Sequence, residues 1–180
     1  MKREILQEIE IPHGIEIEIE KNTIAIKGKL GEIRKRFGFK GIKFEKKENK
    51  IRIEKKNATK NEKRIINTAV AHIKNMIRGV SEGFEYSLKI AHSHFPMTVE
   101  IHGKDVLVKN FLGEKVPRKT EILPGVEVKI DRDIITVKSH DKELAGQTAA
   151  NFEKATRIAN RDRRVFQDGI FIINKAGKEI

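Results

Sequence analysis

The feature that most constrains this chain is that it resembles itself. Laid over itself with an offset of 82 residues, Ile24-Ala25-Ile26-Lys27-Gly28-Lys29-Leu30-Gly31-Glu32 meets Val106-Leu107-Val108-Lys109-Asn110-Phe111-Leu112-Gly113-Glu114, apolar on apolar and Leu-Gly-Glu on Leu-Gly-Glu. The match extends both ways. Upstream, Ile11-Pro12 before one alternating run answers Phe95-Pro96 before another, and downstream Lys50-Ile51-Arg52-Ile53 answers Ile134-Ile135-Thr136-Val137. A helical pattern follows each. A spacing near 80 residues exceeds the ~20–50 of solenoid repeats, so two copies mean a duplicated domain rather than an array. For 180 residues, at ~150 per domain, two small domains are an acceptable division. The boundary is expected near Glu82 or Gly83, giving a first copy over 1–82 and a second over 83–180.

Within the first copy, Ile15-Glu16-Ile17-Glu18-Ile19-Glu20 alternates strictly, the period-2 mark of a strand with one buried face. Lys21-Asn22 then reads as a hairpin turn into Thr23-Ile24-Ala25-Ile26-Lys27, and β runs follow at 32–39, 42–45 and 51–55. Thr59-Lys60-Asn61-Glu62 is a capping box that opens a helix. Its stripe of Ile65, Ile66, Ala69, Val70, Ile73, Met76 and Ile77 faces the sheet, and Gly79 is the expected C-terminal cap. The second copy repeats this with strands at 98–102, 106–110, 126–130 and 134–138. Its helix begins near Asp141 and buries Leu144, Ala145, Thr148, Ala149, Phe152 and Ala155. A strand at 84–90, a connection between copies at His92-Ser93-His94 and a closing strand at 169–173 complete the prediction. The fold class is α+β, a tandem duplication of an antiparallel sheet packed against one main helix.

Charge narrows the partner. The chain carries 38 Lys+Arg against 26 Asp+Glu, a formal net charge of +12, and 36% of its residues are charged where ~25% is ordinary. This excess favours a polyanion, nucleic acid first. No apolar run approaches the ~18 residues of a membrane helix, and Met1-Lys2-Arg3-Glu4 lacks the apolar core of a signal peptide, so a soluble, cytoplasmic protein without membrane contact is expected. The absence of Cys excludes disulfides, thiolate catalysis and sulfur-ligated metals.

No catalytic constellation emerges. Ser139-His140-Asp141 has hydrolase residue types, but three consecutive side chains cannot converge as nucleophile, base and orienter; Asp141 reads instead as a helix N-cap. His92, His94 and His102 announce neither a full metal-ligand set nor its supporting shell. Gly28-Lys29-Leu30-Gly31 and Gly103-Lys104 fit hairpin turns and not a phosphate loop, and Asp131 and Asp133 flank Arg132 in a tight turn. No cofactor, metal or small-molecule substrate is indicated. Residues 1–83 carry 21 basic and 12 acidic residues, net +9, and 84–180 carry 17 and 14, net +3. The raw balance therefore points to the first copy. Clustering points to the second, where Lys154, Arg157, Arg161, Arg163 and Arg164 are opposed by Asp162 alone as the helix runs out, whereas much of the first copy's charge alternates with Glu as on a solvated face. Lys115, Arg118 and Lys119, in an expected loop around Pro117, form a second candidate phosphate contact. Arg34, Lys35 and Arg36 are a third, but alternate faces of a strand. With 6% aromatics, shape and backbone reading of folded RNA is favoured over a stacking platform for single strands.

Two segments sharpen this reading. Asp141-Lys142-Glu143-Leu144-Ala145-Gly146-Gln147-Thr148-Ala149-Ala150-Asn151, followed by Arg163-Arg164-Val165-Phe166-Gln167-Asp168-Gly169-Ile170-Phe171-Ile172, resembles the C-terminal signature of large-subunit ribosomal protein six, the universal L-six family, in its archaeal and eukaryotic form. The Tyr-Lys-Gly-Lys-Gly stretch of bacterial members is lacking. The resemblance spans essentially the whole chain and implies a non-catalytic constituent of the large ribosomal subunit. It further implies binding to large-subunit rRNA near the sarcin–ricin region, beside neighbouring ribosomal proteins at the stalk base, with the second domain making much of the contact. By motif position it carries over Gly146, Gln147, Asn151, Arg163, Arg164, Phe166 and Asp168. Arg163 and Arg164 are expected as phosphate ligands, Phe166 as a core aromatic rather than a base-facing one, and Asp168-Gly169 as a turn. The rRNA-binding candidates are thus Lys115, Arg118, Lys119, Gln147, Asn151, Lys154, Arg157, Arg161, Arg163 and Arg164. The competing readings are a basic protein–protein scaffold without specific RNA binding, and an enzyme acting on RNA.

Overall fold

A computed structural model describes residues 3–20, 22–38, 42–47 and 49–180. Contacts divide the chain into two compact units, 1–83 and 84–180, each with its own apolar core.

Unit 1 contains β1 (Arg3–Glu10), β2 (Glu16–Glu20), β3 (Thr23–Gly28), β4 (Gly31–Arg36), β5 (Lys43–Lys47), β6 (Lys50–Ala58) and α1 (Lys60–Ser81). Its strands form two antiparallel sheets, ordered β1-β6-β5 and β2-β3-β4. The isoleucines that alternate in sequence face inward: Ile17, Ile24, Ile26, Ile33, Ile51 and Ile53 are buried against Ile66, Ala69, Val70 and Ile73 of α1. Fully burying one such side chain is worth ~1.5–3 kcal/mol. The hairpin between β3 and β4 turns through Lys29-Leu30, where the Leu30 amide donates to the Val80 carbonyl at 3.0 Å. Gly28 permits that approach, since a Cβ there would lie 2.8–3.0 Å from Val80. Of the expected turn at Lys21-Asn22, Lys21 lies outside the described residues, as do Phe39 and Gly41 beside the next runs.

The capping box is present, with Thr59 accepting from the Glu62 amide and Glu62 accepting from Thr59. The expected cap at Gly79 is corrected. The helix continues to Ser81, Gly79 is buried within it, and Gly83 (φ +78°) ends it, its amide donating to Gly79 at 3.0 Å. The strand β1 was not anticipated; its inward row of Ile5, Gln7 and Ile9 is broken by a glutamine whose amide reaches Asn67 of α1 at 3.0 Å.

Unit 2 contains β7 (Phe84–Ala91), β8 (Thr98–His102), β9 (Asp105–Lys109), a 3-10 turn (Phe111–Gly113), β10 (Arg118–Glu121), β11 (Glu127–Asp131), β12 (Ile134–Ser139), α2 (Lys142–Ala155), β13 (Gly169–Lys175) and β14 (Lys178–Glu179). Its three-stranded sheet β10-β9-β8 repeats β4-β3-β2, and β7-β12-β11 repeats β1-β6-β5. Both helices start 82 residues apart, at Lys60 and Lys142, so the architecture is the expected tandem duplication. Two differences follow. Unit 2 adds β13 and β14 on the far side of β7. Its helix has 14 residues against 22 in α1, and the chain that would continue the helix becomes the basic loop 156–168.

Two further expectations change. Because β7 belongs to unit 2, His92-Ser93-His94 lies inside that unit, between β7 and β8, rather than between copies. Arg118 and Lys119 sit in strand β10 rather than a loop; only Lys115 of that trio precedes it.

Candidate nucleic-acid interface

The candidate interface begins where α2 stops. Asp141 caps the helix start by accepting from the Glu143 amide at 2.8 Å, and Ser139 donates to the Gly125 carbonyl, so the Ser-His-Asp triplet is spent on local structure. At the other end the buried Thr156 hydroxyl lies beside the Phe152 and Glu153 carbonyls and accepts from the Ile170 amide at 2.9 Å. One side chain thereby ends the helix and fastens it to the first residues of β13.

Arg118 reinforces this junction. Its Nη1 donates to the carbonyls of Ala155 and Arg157, both at 3.0 Å, while Nε and Nη2 bind the Glu114 carboxylate at 2.8 and 2.6 Å. The guanidinium also lies 4.3 Å from the Phe111 ring centroid. Four of its five N–H groups are therefore committed internally, and the cation sits against the negative end of the helix. Arg118 holds Glu114 below the usual carboxylate range. The sequence offered Arg118 as a phosphate ligand, whereas the structure uses it as a clamp on the backbone from which Arg157 projects.

Beyond α2, the Asp162 carboxylate accepts from the Arg164 amide at 3.0 Å and pairs with its guanidinium at 2.8 Å, shaping a turn and holding the Asp162 pKa down. Arg164 remains 89% exposed. The Arg161 guanidinium lies 4.9 Å from the Phe166 ring centroid, and His94 stacks on the same ring at 4.9 Å. Phe166 is half-buried and packs on the core of unit 2.

The turn expected at Asp168-Gly169 is a buried carboxylate instead. Asp168 is 2% exposed and accepts from the Ser93 amide (3.0 Å), the Ser93 hydroxyl (2.8 Å), the His94 amide (3.2 Å) and His94 Nδ1 (3.1 Å). Burial alone would raise its pKa, but the hydrogen bonds from His94 and Ser93 more than offset this and hold it well below the ordinary value. A carboxylate only accepts, so Nδ1 of His94 carries the proton.

These attachments shape a concavity of about 710 Å³ lined by Lys154, Arg157 and Arg163 together with Ile158, Ile170 and Phe171. None of the three cations has a carboxylate partner among the described residues. Gln147, Asn151 and Lys154 share one stripe of α2 by their i, i+4, i+7 spacing, with Gln147 donating to Asn151 at 2.9 Å. Lys115 and Lys119 are exposed on either side of Arg118. Among the described residues no group of three His, Cys, Asp or Glu could hold a metal ion, and no helix is long and apolar enough to cross a membrane. Sequence reasoning missed the Ser93–His94–Asp168 cage and Phe171; neither carries a local signal, since the cage joins residues 75 positions apart.

The family model described as ribosomal protein L6 matches residues 11–83 and 95–169, once in each unit. The chain is 43% identical over 174 residues to the large ribosomal subunit protein uL6 of Methanococcus vannielii, covering 97% of this chain and 96% of the relative. It is 42% identical over 176 residues to the protein of the same name from Methanosarcina mazei, covering 98% and 100%.

Proposed function

The chain belongs to the ribosomal protein L6 family, and from that footing we propose that the end of α2 and the loop after it form its principal grip on folded large-subunit rRNA. It is a structural constituent of the cytoplasmic large ribosomal subunit and not an enzyme. The observation that carries the proposal is the trio of uncompensated cations, Lys154, Arg157 and Arg163, around one concavity. Guanidinium groups match phosphate oxygens in a two-pronged geometry, and each phosphate neutralised releases counterions. The clamp at Arg118 and the tether at Asp168 set the spacing of these charges, so the surface can read the shape of a folded RNA rather than its base sequence. Exposed Arg161, Arg164, Lys115 and Lys119, together with Gln147 and Asn151, extend the same contact. The family resemblance supports a location near the sarcin–ricin region at the stalk base, with neighbouring ribosomal proteins alongside. The basic C-terminal part of the second repeat then serves RNA, while the first repeat, whose basic residues largely alternate with Glu, serves other contacts.

The test is a filter-binding titration of the full chain with a large-subunit rRNA fragment at several salt concentrations. Arg157→Glu with Arg163→Glu should weaken binding and reduce the slope of log K against log salt by about two, one per lost phosphate contact. Unchanged affinity and slope would favour the scaffold reading instead.

A further inference from the structure

Backbone neutralisation explains the cations that line the concavity but not the apolar side chains among them. A surface that only counts phosphates needs no apolar depression, yet this one is lined by Ile158, Ile170 and Phe171, and its volume falls in the ~300–1,000 Å³ range of pockets that enclose small organic groups. The two nearby aromatics differ in their engagement. Phe166 already has His94 and Arg161 against its ring. Phe171 is 43% exposed and has no ring or cation partner among the described residues. Its position depends on Gly169, where a Cβ would come within 3.1 Å of the ring.

We propose that this concavity takes up one unstacked rRNA nucleotide, its base lying against Phe171 and Ile158 and its flanking phosphates held by Lys154, Arg157 and Arg163. The inference rests on the rRNA-binding reading above and deepens it. Charge complementarity selects the occupant: the lining holds three cations, Lys154, Arg157 and Arg163, and two acids, of which Glu153 is exposed and Asp168 is consumed by Ser93 and His94. Such a ring accepts any base, because every base has a π face. Affinity therefore comes from stacking, and selection from which nucleotide the RNA fold leaves unstacked.

The experiment measures binding of the full chain to a large-subunit rRNA fragment over a salt series, with chemical probing of nucleotide reactivity in each complex. Phe171→Ala should weaken binding about 5–150-fold while leaving the salt slope as in the wild type, and one nucleotide protected in the wild-type complex should become reactive. Phe171→Leu keeps an apolar side chain, and with it the fold, and should also lose affinity; Phe171→Trp should retain it. Wild-type affinity and protection for the Ala and Leu variants, with binding still impaired by Arg157→Glu and Arg163→Glu, overturns the nucleotide pocket and leaves the rRNA reading intact. Wild-type binding by the charge-reversed variant as well overturns both, and if those proteins fail to enter the subunit the concavity belongs to a neighbouring protein.

Discussion

At Asp168 the cost of removing a carboxylate from water is met by four donors, all from Ser93 and His94. Asp168→Asn turns acceptor capacity into an NH2 group facing N–H donors, and should destabilise unit 2 by about 1–3 kcal/mol in chemical denaturation. The pH dependence follows from the depressed folded pKa. The stability this carboxylate contributes is fully present above its ordinary value of 3.8 and is lost as pH falls below that toward the lower folded value. The gap between wild type and Asp168→Asn should thus hold steady at neutral pH and close only under strong acid; a gap that closes near neutrality would rule out the assigned hydrogen bonds. Residue by residue, the sequence displayed charge well and partnership badly. Lys154, Arg157 and Arg163 were legible because Asp162 alone opposes their cluster, and the structure gathers them around one concavity. Arg118 looked the same as they do, because nothing in a string of residues tells a guanidinium facing water from one closing on Glu114 and two carbonyls.

Among the elements, the early end of α2 decides where the basic loop begins, and Arg118 of β10 holds that end in place. Arg118→Lys offers one compact ammonium where a planar fork spans a carboxylate and two carbonyls. Amide exchange in the last turn of α2 should accelerate and unit 2 should lose about 1–3 kcal/mol, while the salt slope of RNA binding stays as in the wild type. A slope reduced by about one would instead make Arg118 a phosphate ligand. Elements with a strict apolar rhythm were readable beforehand: the strands β2, β3 and β6, both helices and their caps at Thr59 and Asp141. The strand β10 was not, since Arg118-Lys119-Thr120-Glu121 lies at a sheet edge and has no apolar row. Nor was the helix end at Gly83: Gly79 reads as the cap in sequence, but it lies buried within the helix and is followed by the fully buried Val80.

On the scale of the molecule, duplication was the most legible property, because Leu-Gly-Glu recurs in register and each copy carries a complete apolar pattern. The cores are separate, so damage should stay local. Ile66→Asp places an unpaired charge at a fully buried position, a cost above ~4 kcal/mol that is comparable to the stability of a small domain. Unit 1 should lose its exchange protection while unit 2 keeps its own; loss in both would refute independent cores. The added strand β13 has a consequence for the order of events during synthesis. In unit 1 every strand precedes α1, so the whole pattern is available once residue 81 has emerged. In unit 2, β7 is made first yet pairs on one side with β13, 78 residues later by the Ala91–Gly169 register. While translation covers that interval, a row of backbone amides and carbonyls on β7 stays unmatched, an adhesive seam that invites wrong partners. The nascent protein therefore carries this hazard of misassembly until residues 169–175 have emerged.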